Sequence, residues 1–121
     1  MSVNQKPMTL NEYQKNALAV TTHDWDHHGS LEYATAGLAG EAGELMNVVK
    51  KIWRRNGNVG CFASAEDRRK IEDELGDVLW YAQAIAYEIG VDLETVARGN
   101  IEKLIARKAE REIAAEQVGF E

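Results

Sequence analysis

The feature that most restricts this chain is the position of its single proline: Pro7 is followed by residues 8–121 without another. A proline inside a helix removes a backbone hydrogen bond and clashes with the preceding turn, so its absence leaves the remainder open to long helices. Apolar residues use that freedom at helical spacing. Leu10, Tyr13, Ala17 and Val20 recur along one face, predicting a first helix that runs to about residue 22. Thr9 with Glu12 is a capping-box pattern at its start, and Met8 with Tyr13 fits the accompanying hydrophobic staple. The run His23-Asp24-Trp25-Asp26-His27-His28-Gly29 then breaks the period. Adjacent histidines cannot share a helix face and no zinc-like spacing is present, so the run reads as a polar connection. Trp25, a tryptophan in a loop, is a candidate to cover a ligand.

Ser30 is placed to cap a second helix reaching about Arg55, with Leu31, Ala34, Leu38, Leu45, Val48 and Ile52 as its apolar stripe. Gly37, Gly40 and Gly43 each cost about 1 kcal/mol relative to alanine inside a helix, which points to close approach of another backbone or ligand, or to a packing groove. Lys50, Lys51, Arg54 and Arg55 suit the negative end of the helix dipole, and Lys51 is also a candidate phosphate contact. After a turn-rich loop, Ser64 and Asp67 resemble a cap opening a third helix through about Ile89. Its expected core stripe is Ile71, Leu75, Val78, Ala82, Ile85 and Ile89, with a second strip, Trp80, Ala84 and Tyr87, on nearly the opposite side. A helix apolar on two sides is buried on both, which predicts a homodimer. Gly90 is the expected C′ residue, and Asp92 the cap of a fourth helix whose Leu93, Val96, Ala97, Ile101 and Leu104 face a core. Asn100, Lys103 and Arg107 form a polar ribbon beside that stripe, either a solvated flank or a clamp for phosphate oxygens. The charged, alanine-rich tail reads as a fraying helix ending near Gly119.

No strand-like alternation appears, so the expected fold is all-α: four main antiparallel helices per protomer, assembling as a helical-bundle dimer or a dimer of dimers. The 121 residues make one domain, with a core over about 9–108 and a charged helical tail over 109–121. A net charge of −6 argues against a nucleic-acid coat. No run approaches the apolar length of a membrane span, and no signal-like pattern opens the chain, so no membrane is expected. The lone cysteine, Cys61, excludes an internal disulfide and fits a reducing, cytoplasmic setting.

Two carboxylate pairs carry the chemistry: Glu41-Ala42-Gly43-Glu44 and Glu74-Leu75-Gly76-Asp77. Residues three apart on a helix are neighbours on one face. If the second and third helices pack as a hairpin, four carboxylates converge. They repel unless protons or a cation neutralise them. Glu41 falls inside the apolar stripe, where an unpaired acid is costly. Histidine and cysteine are missing from both pairs, which disfavours zinc and a di-iron centre and favours Mg²⁺ or Mn²⁺ on oxygen ligands. Such ions bind phosphate oxygens, so a polyphosphate is the expected substrate, with a carboxylate taking a proton from the attacking water.

Three motifs in order, Gly37-Leu38-Ala39-Gly40-Glu41-Ala42-Gly43-Glu44-Leu45, then Glu74-Leu75-Gly76-Asp77-Val78-Leu79-Trp80-Tyr81, then Asn100-Ile101-Glu102-Lys103-Leu104-Ile105-Ala106-Arg107, resemble the MazG-type nucleotide pyrophosphohydrolases of the all-α NTP pyrophosphatase superfamily. The resemblance spans about residues 10–108. It implies a helical protomer that dimerises, often further to a tetramer. It also implies Mg²⁺-dependent cleavage of a (deoxy)nucleoside triphosphate to the monophosphate and pyrophosphate. By the match, Glu41, Glu44, Glu74 and Asp77 correspond to the metal-binding acids, and Asn100, Lys103 and Arg107 to the substrate side. Glu41 and Glu44 are the candidates to activate water. One departure stands out: Gly40 occupies the position where the family often carries a leading glutamate. Trp25, Trp53 and Tyr81 are available either to stack on a base or to serve as core aromatics. The alternatives are a relative specialised for dUTP, dCTP or phosphoribosyl-ATP, and a non-catalytic helical dimer that binds nucleotides or partners.

Overall fold

A computed structural model describes residues 6–21, 30–59 and 64–119. Among them are four helices and no strand: α1 (Leu10–Ala19), α2 (Ser30–Arg55), α3 (Ala65–Glu88) and α4 (Leu93–Val118). The helix starts follow from side chains that accept the unpaired first-turn amides. The Thr9 hydroxyl accepts from the Glu12 N–H at 3.0 Å. Ser64 and Asp67 form a reciprocal box, the Asp67 N–H donating to Ser64 Oγ at 3.1 Å and the Ser64 N–H to Asp67 Oδ2 at 3.2 Å. At α4, Asp92 Oδ1 accepts from the Thr95 N–H at 2.8 Å.

Two helix ends close alike. The Gly90 N–H donates to the Tyr87 carbonyl and the Val91 N–H to that of Ala86, with Gly90 at φ +78. Gly57, at φ +70, and Asn58 repeat the pattern onto Arg54 and Trp53. Both are Schellman closures, in which a left-handed residue lets the chain turn back to cover the last carbonyls.

The helical hairpin of α2 and α3 is the body of the molecule, and α1 packs on α3 and α4. Ala34 near the start of α2 and Ala84 near the end of α3, both fully buried, meet there, with Leu18, Trp80, Tyr81 and Ile85 half-buried around them. Two alanines facing each other let the helix axes approach closely. The polar side chains of α1 fix the rest. Gln14, 7 % exposed, donates through Nε2 to the carbonyls of Gln83 and Val91, while its Oε1 accepts from the Leu93 N–H at 3.0 Å. Asn11 exchanges two hydrogen bonds with Glu94, at 3.0 and 3.1 Å. Three successive amides at the start of α4 are thus satisfied, two of them by α1. At the opposite end of the hairpin Arg55 pairs with Asp67, whose side chain is buried, tying the end of α2 to the start of α3.

Several expectations are revised. α1 ends at Ala19, about a turn early, and Val20 is exposed rather than part of the stripe. Ser30 is the first residue of α2, not its cap. Leu31 is exposed. On α3 the hairpin buries Ala84 and half-buries Trp80 and Tyr81, whereas Leu75 and Ile89 of the expected core stripe are exposed. Both sides of α3 are apolar, and one protomer has only one hairpin partner to cover them. On α4 Leu93 is buried, but Val96, Ile101 and Leu104 are exposed, because α4 packs on α1 and α3 and not on α2. From Arg98 to Gly119 every residue of the helix and its cap is exposed. The tail is helical through Val118 and capped by Gly119. His23 to Gly29 and Cys61 lie outside the described residues.

Candidate functional site

Glu41 on α2 faces Glu74 and Asp77 on α3. One carboxylate oxygen from each lies within 4.8 Å of the others, and Glu41 and Glu74 are half-buried. The i,i+3 spacing on α3 delivers two acids to one point, and the antiparallel partner delivers the third. Glu44 stands outside this trio. It is exposed, about 60° round the helix from Glu41.

The electrostatics follow from the crowding. Burial pushes the Glu41 carboxyl above the ordinary carboxylate range, and the negative charges of Asp77, Glu74 and Glu44 push it further, with a hydrogen bond to Glu74 in the same direction. Protons or a cation relieve this cost.

A tyrosine shell lies beside the acids. Tyr81, one turn beyond Asp77, has its phenol raised by burial, by its hydrogen bond and charge interaction with Tyr33, and by Glu41 and Asp77. Its ring meets Trp80 edge-on at 5.0 Å and stands 6.4 Å from that of Tyr33. Tyr13 of α1 is raised by burial and by Asp77. Sequence reading found Tyr81 but not Tyr13 or Tyr33. The signal for Tyr33 was available: Tyr33, Gly37 and Glu41 follow one line down α2 at four-residue spacing.

The glycines divide. A Cβ on Gly37 would press into the Tyr81 ring, 2.5 Å from Cδ1 and Cζ and nearer still to Cε1, too close for any real contact. At Gly40 and Gly43 a Cβ would meet nothing within 4 Å. Among the described residues only the first of the three reflects close approach, and a Cβ at Gly40 would be unobstructed.

The donor set fits a hard divalent cation. All three groups are carboxylates, each with an oxygen within 4.8 Å of the others, and carboxylate oxygens are the ligands such a cation takes. Glu41, Glu74 and Asp77 would hold the ion.

The other expected site residues are dispersed. Lys51 is exposed and lines a cavity of about 370 Å³ with Val48, Ile52, Arg55, Asp67 and Lys70, at the far end of the hairpin. Ten residues of helix, about 15 Å, separate it from Glu41. Asn100, Lys103 and Arg107 are exposed on α4, and no described contact brings them to the acids. Trp53 is 43 % exposed. Trp25 lies outside the described residues.

Comparison with known proteins bears on this arrangement. The chain is 45 % identical over 85 residues to the Gene 37 protein of Mycobacterium phage L5, covering 70 % of this chain and 72 % of that protein. The MazG nucleotide pyrophosphohydrolase domain matches residues 30–111, the stretch holding α2, α3, the three acids and most of α4. The chain belongs to the MazG nucleotide pyrophosphohydrolase family.

Proposed function

We propose that this protein hydrolyses (deoxy)nucleoside triphosphates to the monophosphate and pyrophosphate, using Mg²⁺, with Mn²⁺ as a substitute. The observation that carries the reading is the meeting of Glu41, Glu74 and Asp77 within 4.8 Å across two helices of a MazG domain. These three acids hold the metal. When bound, the ion neutralises phosphate charge and eases departure of pyrophosphate. Glu44, one turn along and outside the trio, takes the proton of the attacking water as that water's oxygen bonds to phosphorus and the α–β bridging bond breaks. Tyr81 lies against the substrate beside the acids.

The phosphate-binding ribbon of Asn100, Lys103 and Arg107 acts in a homodimer, where a second copy brings it over the acids. Supporting this are the exposed apolar residues Leu75 and Leu79 on α3 and Val96, Ile101, Leu104 and Ile105 on α4, more than an isolated protomer ordinarily leaves in water. Among the described residues no helix is long and apolar enough to cross a membrane. The cytoplasm, where nucleotides are held, is the fitting location.

The test is a panel of nucleoside triphosphates with Mg²⁺, including dUTP, dCTP and phosphoribosyl-ATP, scored for nucleotide product and pyrophosphate together. Equimolar monophosphate and pyrophosphate is the expected result. Orthophosphate release without monophosphate would overturn the reaction assignment.

A further inference from the structure

The acid trio is one of two adjacent contacts between α2 and α3. Moving one turn toward the start of α2 leads from Glu41 to Gly37, and one turn toward the end of α3 leads from Asp77 to Tyr81. The helices are antiparallel, so the second contact, Gly37 against Tyr81, lies about 6 Å from the first. Its geometry is unusual among the glycines of the two helices. The Tyr81 ring occupies the space where any other residue at 37 would place its Cβ, while Gly40, Gly43 and Gly76 open on space. The ring is flanked on two sides, by Trp80 edge-on at 5.0 Å and by Tyr33 at 6.4 Å.

We propose that Gly37 is a positioning residue for the acid cluster: its missing side chain admits the Tyr81 ring against α2, and this contact sets the helix separation at which Glu41 meets Glu74 and Asp77. A methyl group at 37 needs a gap of at least 3.4 Å where 2.5 Å or less is present, a shift of about an ångström. With the ring flanked by Trp80 and Tyr33, the shift passes to the spacing of the helices. One turn away, the three oxygens within 4.8 Å are spread by a comparable amount, beyond what an ion with near-ideal octahedral demands accepts. The cost falls on metal affinity. It also opposes helix propensity, which favours alanine over glycine at 37.

The inference rests on the metal reading above, and the experiment separates the two. Mn²⁺ binding is measured by calorimetry without nucleotide on wild type, Gly37→Ala, Tyr81→Leu and the double variant, with thermal melts in chelator. Expected are at least about tenfold weaker binding in Gly37→Ala and a change of less than about threefold when the same substitution is made in the Tyr81→Leu background. Gly37→Ala binding within about twofold of wild type overturns the inference, as does an equal loss in both backgrounds. Should Gly37→Ala fail to fold, folding of the double variant upholds the ring as the cause, and failure of both overturns it. A wild-type protein that binds no Mn²⁺ overturns the metal reading and the inference with it.

Discussion

A carboxylate among apolar side chains is the oddest residue on α2, and the structure explains why Glu41 is tolerated there: it is half-buried against two acids of α3, a site a cation would stabilise. Glu41→Gln keeps the shape and removes the charge that Asp77, Glu74 and Glu44 oppose. The metal-free variant is expected to melt at or above the wild-type temperature, added Mg²⁺ is expected to give no stabilisation, and turnover is expected to fall at least about a hundredfold. Melting curves with and without Mg²⁺, beside a pyrophosphate assay, measure all three. A variant stabilised by Mg²⁺ more than wild type would contradict the assignment. Glu41, Glu74 and Asp77 were legible because i,i+3 spacing fixes direction on a helix. Glu44 was grouped with them by the same rule, yet a residue about 60° away on the opposite helix need not reach the same point. The neighbouring Tyr13 was not legible at all, since its relation to Asp77 depends on how α1 packs.

At the scale of helices, caps read well, Ser30 apart, and faces read poorly. Thr9, Ser64, Asp92 and Gly90 stand where sequence placed them, because each answers a local need of the backbone. Which side of α3 turns to α2 was undecidable from apolarity, since Leu75 and Trp80 lie on different sides of a helix that is apolar on both. The Arg55–Asp67 pair joins two helix ends across residues 56–64 and went unread, because Asp67 was needed only as a cap. Its consequence is a pH dependence with a definite sign. The hydrogen bond from Arg55 is the main cause holding Asp67 at about 2, against an ordinary 3.8, with the Ser64 N–H and hydroxyl adding to it and burial opposing. A carboxyl depressed on folding contributes stability that is present above its unfolded value and lost as pH falls through its folded one. Acid melts should therefore lose stability between about pH 4 and pH 2, and Asp67→Asn should start lower and lose less across that window. Ser64→Ala is expected to cost about 1 kcal/mol near neutral pH, measured by urea unfolding.

For the molecule as a whole, one protomer leaves its chemistry divided. The acids are at the hairpin, the Asn100, Lys103 and Arg107 ribbon is on a helix that does not pack on α2, and apolar surface is exposed on α3 and α4. Sequence placed the ribbon correctly on α4 but not its relation to the acids, which no single-chain periodicity encodes. Subunit mixing tests the proposed division of labour. Glu41→Gln and the double variant Lys103→Ala, Arg107→Ala should each be inactive alone. Equal amounts, unfolded and refolded together, should regain about a quarter of wild-type activity, because half the dimers are mixed and each holds one intact site. Mixtures as inactive as their parents would place ribbon and acids in the same chain.

The uncovered stretch of α4 has a further consequence for how the protein behaves in dilute solution. Water reaches every residue from Arg98 to Gly119, and a helix with no packed face has little beyond its own hydrogen bonds to keep it closed. Its first turn is held by Gln14, Asn11 and Asp92, so unwinding should proceed from the far end toward Leu93. In a lone protomer the backbone amides of α4 are expected to exchange with deuterium through local opening, orders of magnitude faster than those of α2 and α3. Raising the protein concentration should slow α4 most. An active site dependent on that helix would then be lost on dilution before the fold is.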